Sequence, residues 1–274
     1  GTVPWSETPG PSRPIASVST TVHGRAIIVT AKCLASSASG TSIHMMSYKL
    51  VALLPMKAHS ARVPRKNFRS FAGKPLLRWV LDALLETLEI EQVIINTDAR
   101  SSLDELGISA MPGVLIRDRR AEICGDFVSM NRVIEDDLEA VASDAYLMTH
   151  TTNPLLRSAT IRRAIAEFDM ARASGNADSL FSVNRFQTRF YDAAGKPINH
   201  DADNLVRTQD LEPWFEENSN LYLFTRDSFS RTKARIGSKP IMFETPRIES
   251  VDIDDFDGWH MAEALASVNT KVSQ

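Results

Sequence analysis

The chain is short of cysteine, of long apolar runs and of any charge imbalance, and each shortage excludes something. Two cysteines in 274 residues, Cys33 and Cys124, cannot build a disulfide framework, and their spacing is not that of a metal knuckle. A reducing compartment, the cytoplasm, is the default expectation. No apolar stretch approaches the roughly 18 to 20 residues that span a bilayer, so no membrane partner is expected. The 31 Lys+Arg face 34 Asp+Glu for a net charge of −3, which argues against a generally basic nucleic-acid binder. The Gly-Lys-Ser/Thr signature of the usual phosphate loop is missing too. What remains, 43% hydrophobic and 24% charged, is an ordinary globular composition with room for one large domain or two small ones.

Acidic residues are scarce in one place. Residues 1–46 contain a single one, Glu7, and are rich in Ser, Thr, Pro and Ala. They are expected to be a disordered N-terminal extension, non-native or dispensable. A transit peptide is the alternative, weakened by the few arginines. The Met45-Met46 pair stands just before the first structured segment, and residues 47–274 are read as one α/β domain.

From Ser47 the chain alternates strand and helix. Lys49-Leu-Val-Ala-Leu-Leu-Pro55 reads as a fully buried first strand. Pro75 sits where a first helical residue would, and leucines at helical spacing make 75–88 an amphipathic helix. Strands follow at 92–96, 114–116, 145–148 and 180–183, with helices at 101–106, 129–142 and 158–173, the last capped by Ser158. This alternation predicts a mostly parallel, three-layer α/β sheet. A hairpin turning near Gly195 marks an antiparallel excursion over about 185–215. Strands at 221–224 and 241–244 and a helix over 255–267 close the chain.

Ligands of open parallel sheets bind beyond the carboxyl ends of the strands. The loop after the first strand carries Lys57, Ser60, Arg62, Arg65 and Lys66, a plausible cradle for a triphosphate; it also reads as a solvated basic surface. Later strand ends carry Asn96-Thr-Asp98, Arg117-Asp-Arg-Arg120 and His150-Thr-Thr-Asn-Pro154, each of which also reads as turn chemistry. Near the C-terminus stands Glu249-Ser-Val-Asp-Ile-Asp254. In an extended segment Asp252 and Asp254 point the same way, about 6.5–7 Å apart. A hard cation such as Mg²⁺ with nucleotide phosphates suits such a pair; an acidic surface turn or a helix cap is the plainer alternative.

Together these segments resemble a known family. Pro55 to Pro75, ending Lys66-Asn-Phe-Arg-Ser-Phe-Ala-Gly-Lys-Pro75, is similar to the opening motif of the cytidylyltransferases that activate acidic sugars. These are the acylneuraminate cytidylyltransferases (CMP-sialic acid synthetases), with the 3-deoxy-manno-octulosonate cytidylyltransferases as close relatives. The resemblance continues in order through Asn96-Thr-Asp98, Asp126 with Ser129-Met-Asn131, Thr152-Asn-Pro-Leu155, Arg207-Thr-Gln209, Glu217-Asn218 with Leu221-Tyr-Leu223, and the acidic segment with Ala262-Glu263. It covers nearly all of 49–265.

The resemblance implies a Rossmann-like nucleotide-diphospho-sugar transferase fold and a homodimer built through the excursion. It implies transfer of CMP from CTP, with Mg²⁺, to an acidic sugar, releasing pyrophosphate. On the matching positions, Lys57, Lys66 and Asp252 take the catalytic roles. Leu54, Met56, Lys57, Ser60, Arg62, Lys66, Asn67, Asp98 and Arg117 form the nucleotide pocket, and Asp252 and Asp254 hold the metal. His150, Thr152, Arg207 and Gln209 fall in the sugar half, with Arg207 placed to grip the substrate carboxylate. Lys57 stands for the family's arginine, Ala61 for a basic residue, and His150 for a glutamine that touches the sugar. His150 is expected to titrate near neutrality. A 3-deoxy-octulosonate or other sugar as acceptor, or a non-catalytic nucleotide-binding relative, are the competing readings.

Overall fold

The computed structural model describes residues 48–272. The 1–46 extension expected from the sequence lies outside the described residues. The elements in chain order are β1 (Leu50–Leu53), β2 (Ser70–Phe71), β3 (Lys74–Pro75), α1 (Leu76–Leu85), β4 (Gln92–Thr97), α2 (Arg100–Glu105), β5 (Val114–Asp118), α3 (Met130–Ala140), β6 (Ala145–Met148), α4 (Ser158–Ala173), β7 (Ser179–Phe186), β8 (Trp214–Thr225), α5 (Arg226–Thr232), β9 (Pro240–Glu244) and α6 (Phe256–Val272). Among the described residues, no helix is long and apolar enough to cross a membrane.

Seven strands form one sheet in the order β5-β4-β1-β6-β8-β7-β9, and β2 and β3 form a small separate ribbon. The first four are parallel, whereas β8 runs antiparallel to both of its neighbours. The strand period of two sorts the side chains between layers. Leu50 and Ala52 of β1 pack with Leu81 of α1 and Ile165 of α4 on one face. Val51 and Leu53 pack with Ile134 and Leu138 of α3 and Phe229 of α5 on the other. Both faces of β1 are fully buried, which is why its sequence reads as a continuous apolar run.

Local details depart from expectation. Pro75 precedes helix α1 rather than opening it, with φ −53° and ψ 140°. Ser129 does cap α3, accepting from the Asn131 N–H at 3.3 Å. Ser158 does not cap α4; Arg157 occupies that position, and the Ser158 hydroxyl donates to Glu86 at 3.3 Å. Strand β8 is twelve residues rather than four, because beyond a register shift between Phe181 and Val183 its first residues, Trp214 to Glu217, pair with Val183 to Phe186 of β7. Ser219 there takes φ 56°, a left-handed conformation that such bulges accommodate. Helix α5, capped by the Thr225 hydroxyl, was not expected. The excursion is a sparse hairpin held by a Tyr191–Pro197 bridge.

A third apolar cluster lies away from the sheet. Val63 and Phe71 of the basic loop, Leu155 after β6, and Ile253, Trp259 and Ala262 of the C-terminal segment are all buried together. Phe71 meets Trp259 edge-on at 5.5 Å. Large-to-small changes at such sites cost about 3–5 kcal/mol for an aromatic, so Trp259→Ala is expected to lower unfolding free energy by about that amount in urea. A loss below about 1 kcal/mol would show that this cluster does not hold the C-terminal segment in place.

Candidate active site

The sheet order reverses direction at β1, with β4 on one side and β6 on the other, and a crevice opens beyond the carboxyl ends of the strands at such a point. A cleft of about 300 Å³ lies there, its walls including Lys57, Ser60, Arg62, Lys66, Asn67, Arg119, His150 and Thr152. The chain leaves the sheet in steps. Leu54 still donates to Ile94 O at 2.8 Å and buries its side chain in the core, and Met56 donates to Asn96 O at 3.1 Å. The loop then turns at Arg65, which has φ 52° and opens a tight turn over Lys66–Phe68. Asn67 closes the loop on itself: its amide donates to Lys57 O at 2.9 Å and accepts from the Thr151 hydroxyl at 2.7 Å.

The loop's cations and one backbone N–H meet carboxylates from three other segments. Lys57 pairs with Asp126 at 2.9 Å, and Arg62 with Asp254 at 3.0 Å. Asp98 accepts the Ala58 N–H at 2.6 Å. Lys66 donates to Ile253 O at 2.6 Å, and burial draws its ammonium below the usual lysine range against the pull of Asp252 and Asp254. Asp252 is exposed as a residue, yet its carboxyl is crowded by protein, which raises its pKa; Asp254 adds to the rise, and the Thr152 hydroxyl and Lys66 oppose it. The first loop and the acidic segment, 187 residues apart at Lys66 and Ile253, therefore form one charged surface.

The arginines of the third strand end separate. Arg117 turns away from the cleft and pairs with Asp136 at 3.0 Å and with Asp137, both on α3. Arg119, not singled out from the sequence, takes the cleft wall. It donates to Asn96 Oδ1 at 2.9 Å, Asn96 O at 2.8 Å and Met56 O at 3.1 Å. Asn96 in turn donates to Asp137 at 2.8 Å and Asp136 at 3.1 Å. Burial pushes the Asp137 carboxyl up to about 6, against the bonds from Asn96 and Arg117, and lowers the pKa of Arg119. No sequence signal separates the two: the strand read from the sequence ends at residue 116, and only the observed strand, Val114–Asp118, keeps Arg117 within it and puts Arg119 just past its carboxyl end.

In the other half, His150 and Thr152 line the cleft, and Arg207 and Gln209 do not. Both lie exposed in the excursion. The Arg207 fork is already taken by Asp210, at 2.7 and 3.0 Å, and the Gln209 carbonyl accepts from Gln187. His150 does not titrate near neutrality. Burial pushes its imidazole down to about 4, and the charges of Arg235 and Lys66 add to this.

No group of three or more His, Cys, Asp or Glu side chains gathers as a metal cage among the described residues. The carboxylates expected from the sequence to hold a metal are the pair Asp252 and Asp254. That set fits Mg²⁺, which takes one or two carboxylates, keeps several waters and uses substrate phosphates for the rest. The raised Asp252 carboxyl is the group a cation would relieve.

Two measurements check this geometry. The folded protein holds His150 neutral down to about 4, while the unfolded chain protonates it at its ordinary 6.5; stability is therefore expected to fall as pH drops from 6.5 to 4. His150→Gln should remove that part of the pH dependence, and an NMR titration midpoint near 6.5 for His150 would contradict it. Asn96→Ala strips partners from Arg119 and from two buried carboxylates, so a loss of about 3 kcal/mol or more is expected in chemical denaturation. A loss under about 1 kcal/mol would mean the network is dispensable.

Comparison with known proteins agrees with the geometry. A family model described as Cytidylyltransferase matches residues 51–250. The CMP-N,N'-diacetyllegionaminic acid synthase of Legionella pneumophila is 27% identical over 238 residues, covering 81% of this chain and 97% of its own length. The pseudaminic acid cytidylyltransferase of Campylobacter jejuni is 22% identical, with 81% and 97% covered. The N-acylneuraminate cytidylyltransferase of Streptococcus agalactiae is 23% identical over 76% of this chain, which spans only 51% of that protein. In fold, a solved CMP:2-keto-3-deoxy-manno-octonic acid synthetase complexed with CTP superposes with a TM-score of 0.58 at 14% identity, covering 81% of this chain and 99% of that one. With more than half of its length matched, a parallel-centred α/β sheet and a charged cleft at the switch point, this chain belongs to the cytidylyltransferase family.

Proposed function

We propose that the protein transfers CMP from CTP to the anomeric hydroxyl of an acidic 2-keto-3-deoxy sugar, an N-acylneuraminate or related nonulosonate, with release of pyrophosphate. The observation that carries this reading is the meeting of the basic first loop with the Asp252–Asp254 segment in one cleft. The named relatives with matching length act, by their names, on legionaminic and pseudaminic acids.

In this reading, the hydroxyl oxygen forms a bond to the α-phosphorus, the bond from that phosphorus to the β-phosphate oxygen breaks, and the hydroxyl proton is released. Such transfers depend on positioning and on stabilising charge. Lys57, Arg62 and Lys66 bind the phosphates, which replace Asp126 and Asp254 as partners of the first two. Asn67 and Arg119 hold the nucleoside side of the cleft, and Ser60 is part of the cleft wall. Asp98 serves by fixing the loop through the Ala58 N–H. Asp252 and Asp254 would hold Mg²⁺, which supplies neutralisation of phosphate charge. Thr152 orients Asp252, and His150 presents a neutral ring to the sugar.

Three coarser features belong to the same proposal. Trp214 and Phe215 are 39% and 42% exposed at the edge of the excursion, and Phe190 stacks on Trp214 at 5.4 Å; this aromatic surface supports a homodimer. CTP as substrate and the scarcity of cysteine support a cytoplasmic setting. Residues 47–274 act as the catalytic domain.

Pyrophosphate release tests the reading, using CTP, Mg²⁺ and a panel of acidic nonulosonates and octulosonates. Turnover with CTP in preference to UTP, GTP and ATP is expected. Lys66→Ala and Asp252→Asn should each lower kcat by about 10²–10³-fold, the scale of losing one stabilising group. Failure of every 2-keto-3-deoxy acid to support release would overturn the proposal.

A further inference from the structure

Two carboxylates lie buried side by side on α3, and the reaction proposed above uses neither. Asp136 is 5% exposed and Asp137 1%. They are not compensated alike. Asp136 meets two guanidinium groups, Arg117 at 3.0 Å and Arg120 at 2.7 Å. Asp137 pairs with Arg117 alone among the described residues. Its Oδ1 accepts from Arg117 and from Asn96, whereas its Oδ2 is buried with no partner. A proton can settle on Oδ2 without displacing a donor.

An asymmetric amide lies against this carboxyl. Asn96 Nδ2 faces the two carboxylates, and Asn96 Oδ1 accepts from Arg119 Nε at 2.9 Å. Turned the other way, the amide would set its oxygen against two anions and its N–H groups against a guanidinium donor. Charge on the two sides therefore holds it in one orientation. Arg119 has no carboxylate partner of its own among the described residues. Its Nη2 donates to Met56 O and Asn96 O, and its Nη1 has no acceptor there. The residue is 9% exposed and lines the cleft. An enclosed guanidinium with an unused nitrogen, on a cleft wall, is poised for an acceptor on a ligand.

We propose that Asp137 is a positioning residue for the nucleotide: its charge fixes the Asn96 amide, the amide fixes Arg119, and a proton on Asp137 loosens Arg119 and weakens CTP binding. This rests on the cytidylyltransferase reading above. Asp137 does not itself line the cleft, so its effect travels through two other side chains.

The groups that face Asp137 are Asn96 of β4, Arg117 of β5 and Asp136 beside it on α3; Arg119 and Arg120 stand one contact further out. The arginines keep their charge throughout. Burial raises the Asp137 carboxyl to about 6, against the hydrogen bond from Asn96 and the charge of Arg117, and Asp136 adds to the rise. Asp137 is thus ionised above about 6 and protonated below it, so this part of the CTP affinity is present at pH 8 and lost by pH 5.

The test is CTP binding with Mg²⁺, by calorimetry on the full-length protein from pH 5 to pH 8. It compares wild type, Asp137→Asn, Arg119→Met and the double variant. Asp137→Asn keeps an acceptor for Asn96 but removes the charge, so it copies the protonated state. Asp252 and the terminal phosphate of CTP titrate alike in all of these proteins, and ratios between proteins cancel them. Wild type should bind CTP about 3- to 10-fold tighter than Asp137→Asn at pH 8, the scale of one hydrogen bond, and the ratio should approach one at pH 5. In pyrophosphate release the loss should appear in the KM for CTP rather than in kcat. In the Arg119→Met background Asp137→Asn should change nothing, since the group it acts through is gone. Circular dichroism reports folding. If Asp137→Asn does not fold, the ratio of wild type to Arg119→Met carries the test and should fall about 3- to 10-fold from pH 8 to pH 5. A ratio that does not change with pH, or the same loss with and without Arg119, would overturn the assignment while leaving the cytidylyltransferase reading intact. A wild type that binds no CTP would overturn that reading and this assignment with it.

Discussion

The burial of Ile253 is the constraint on which the site depends. This side chain is fully enclosed among Val63, Phe71, Leu155 and Trp259. Enclosing an isoleucine is worth about 1.5–3 kcal/mol. Two carboxylates repel by about 1 kcal/mol at 4 Å in water, so the apolar term wins and holds Asp252 and Asp254 on either side of it. The backbone of the same residue joins two further loops. Its N–H donates to Thr152 O at 2.9 Å, and its carbonyl accepts from Lys66. One apolar side chain thereby brings the basic loop, the segment after β6 and the acidic segment into a single cleft.

A second buried junction supports the opposite wall. Asn96 accepts from Arg119 and donates to Asp136 and Asp137, so a neutral amide lies between opposite charges. An arginine this deep would be costly without acceptors. Here two backbone carbonyls and an amide oxygen receive it, and the carboxylates of α3 stand behind, themselves joined to Arg117. Helix α3 thus contributes to the cleft without lining most of it. The division of work between Arg117 and Arg119 follows: one pairs with the buried carboxylates of α3, and the other lines the cleft.

Much of the fold was legible in residue patterns. The apolar run of β1, the leucine spacing of α1 and the strand at Ala145–Met148 are local signals, and burial on both faces makes them strong. The weaker elements depend on distant partners. The first half of β8, Trp214–Glu217, mixes aromatic and acidic residues and is extended only because it pairs with Val183–Phe186. Helix α5 is seven residues long and carries little periodicity. The phosphate-loop and acidic-segment candidates were legible because their residue types are unusual in sequence. Arg119, the depressed basicity of His150 and the buried Asp137 carboxyl were not, since each is defined by burial against elements far away in the chain.

The most direct measurement of the account is a crystal structure of the full-length protein with CTP and Mg²⁺. A triphosphate lying against Lys57, Arg62 and Lys66 is expected, with the metal on Asp252 and Asp254 and the nucleoside towards Asn67 and Arg119. A nucleotide bound outside the cleft, or a metal held by other residues, would contradict the claim that the Ile253 junction assembles the active site.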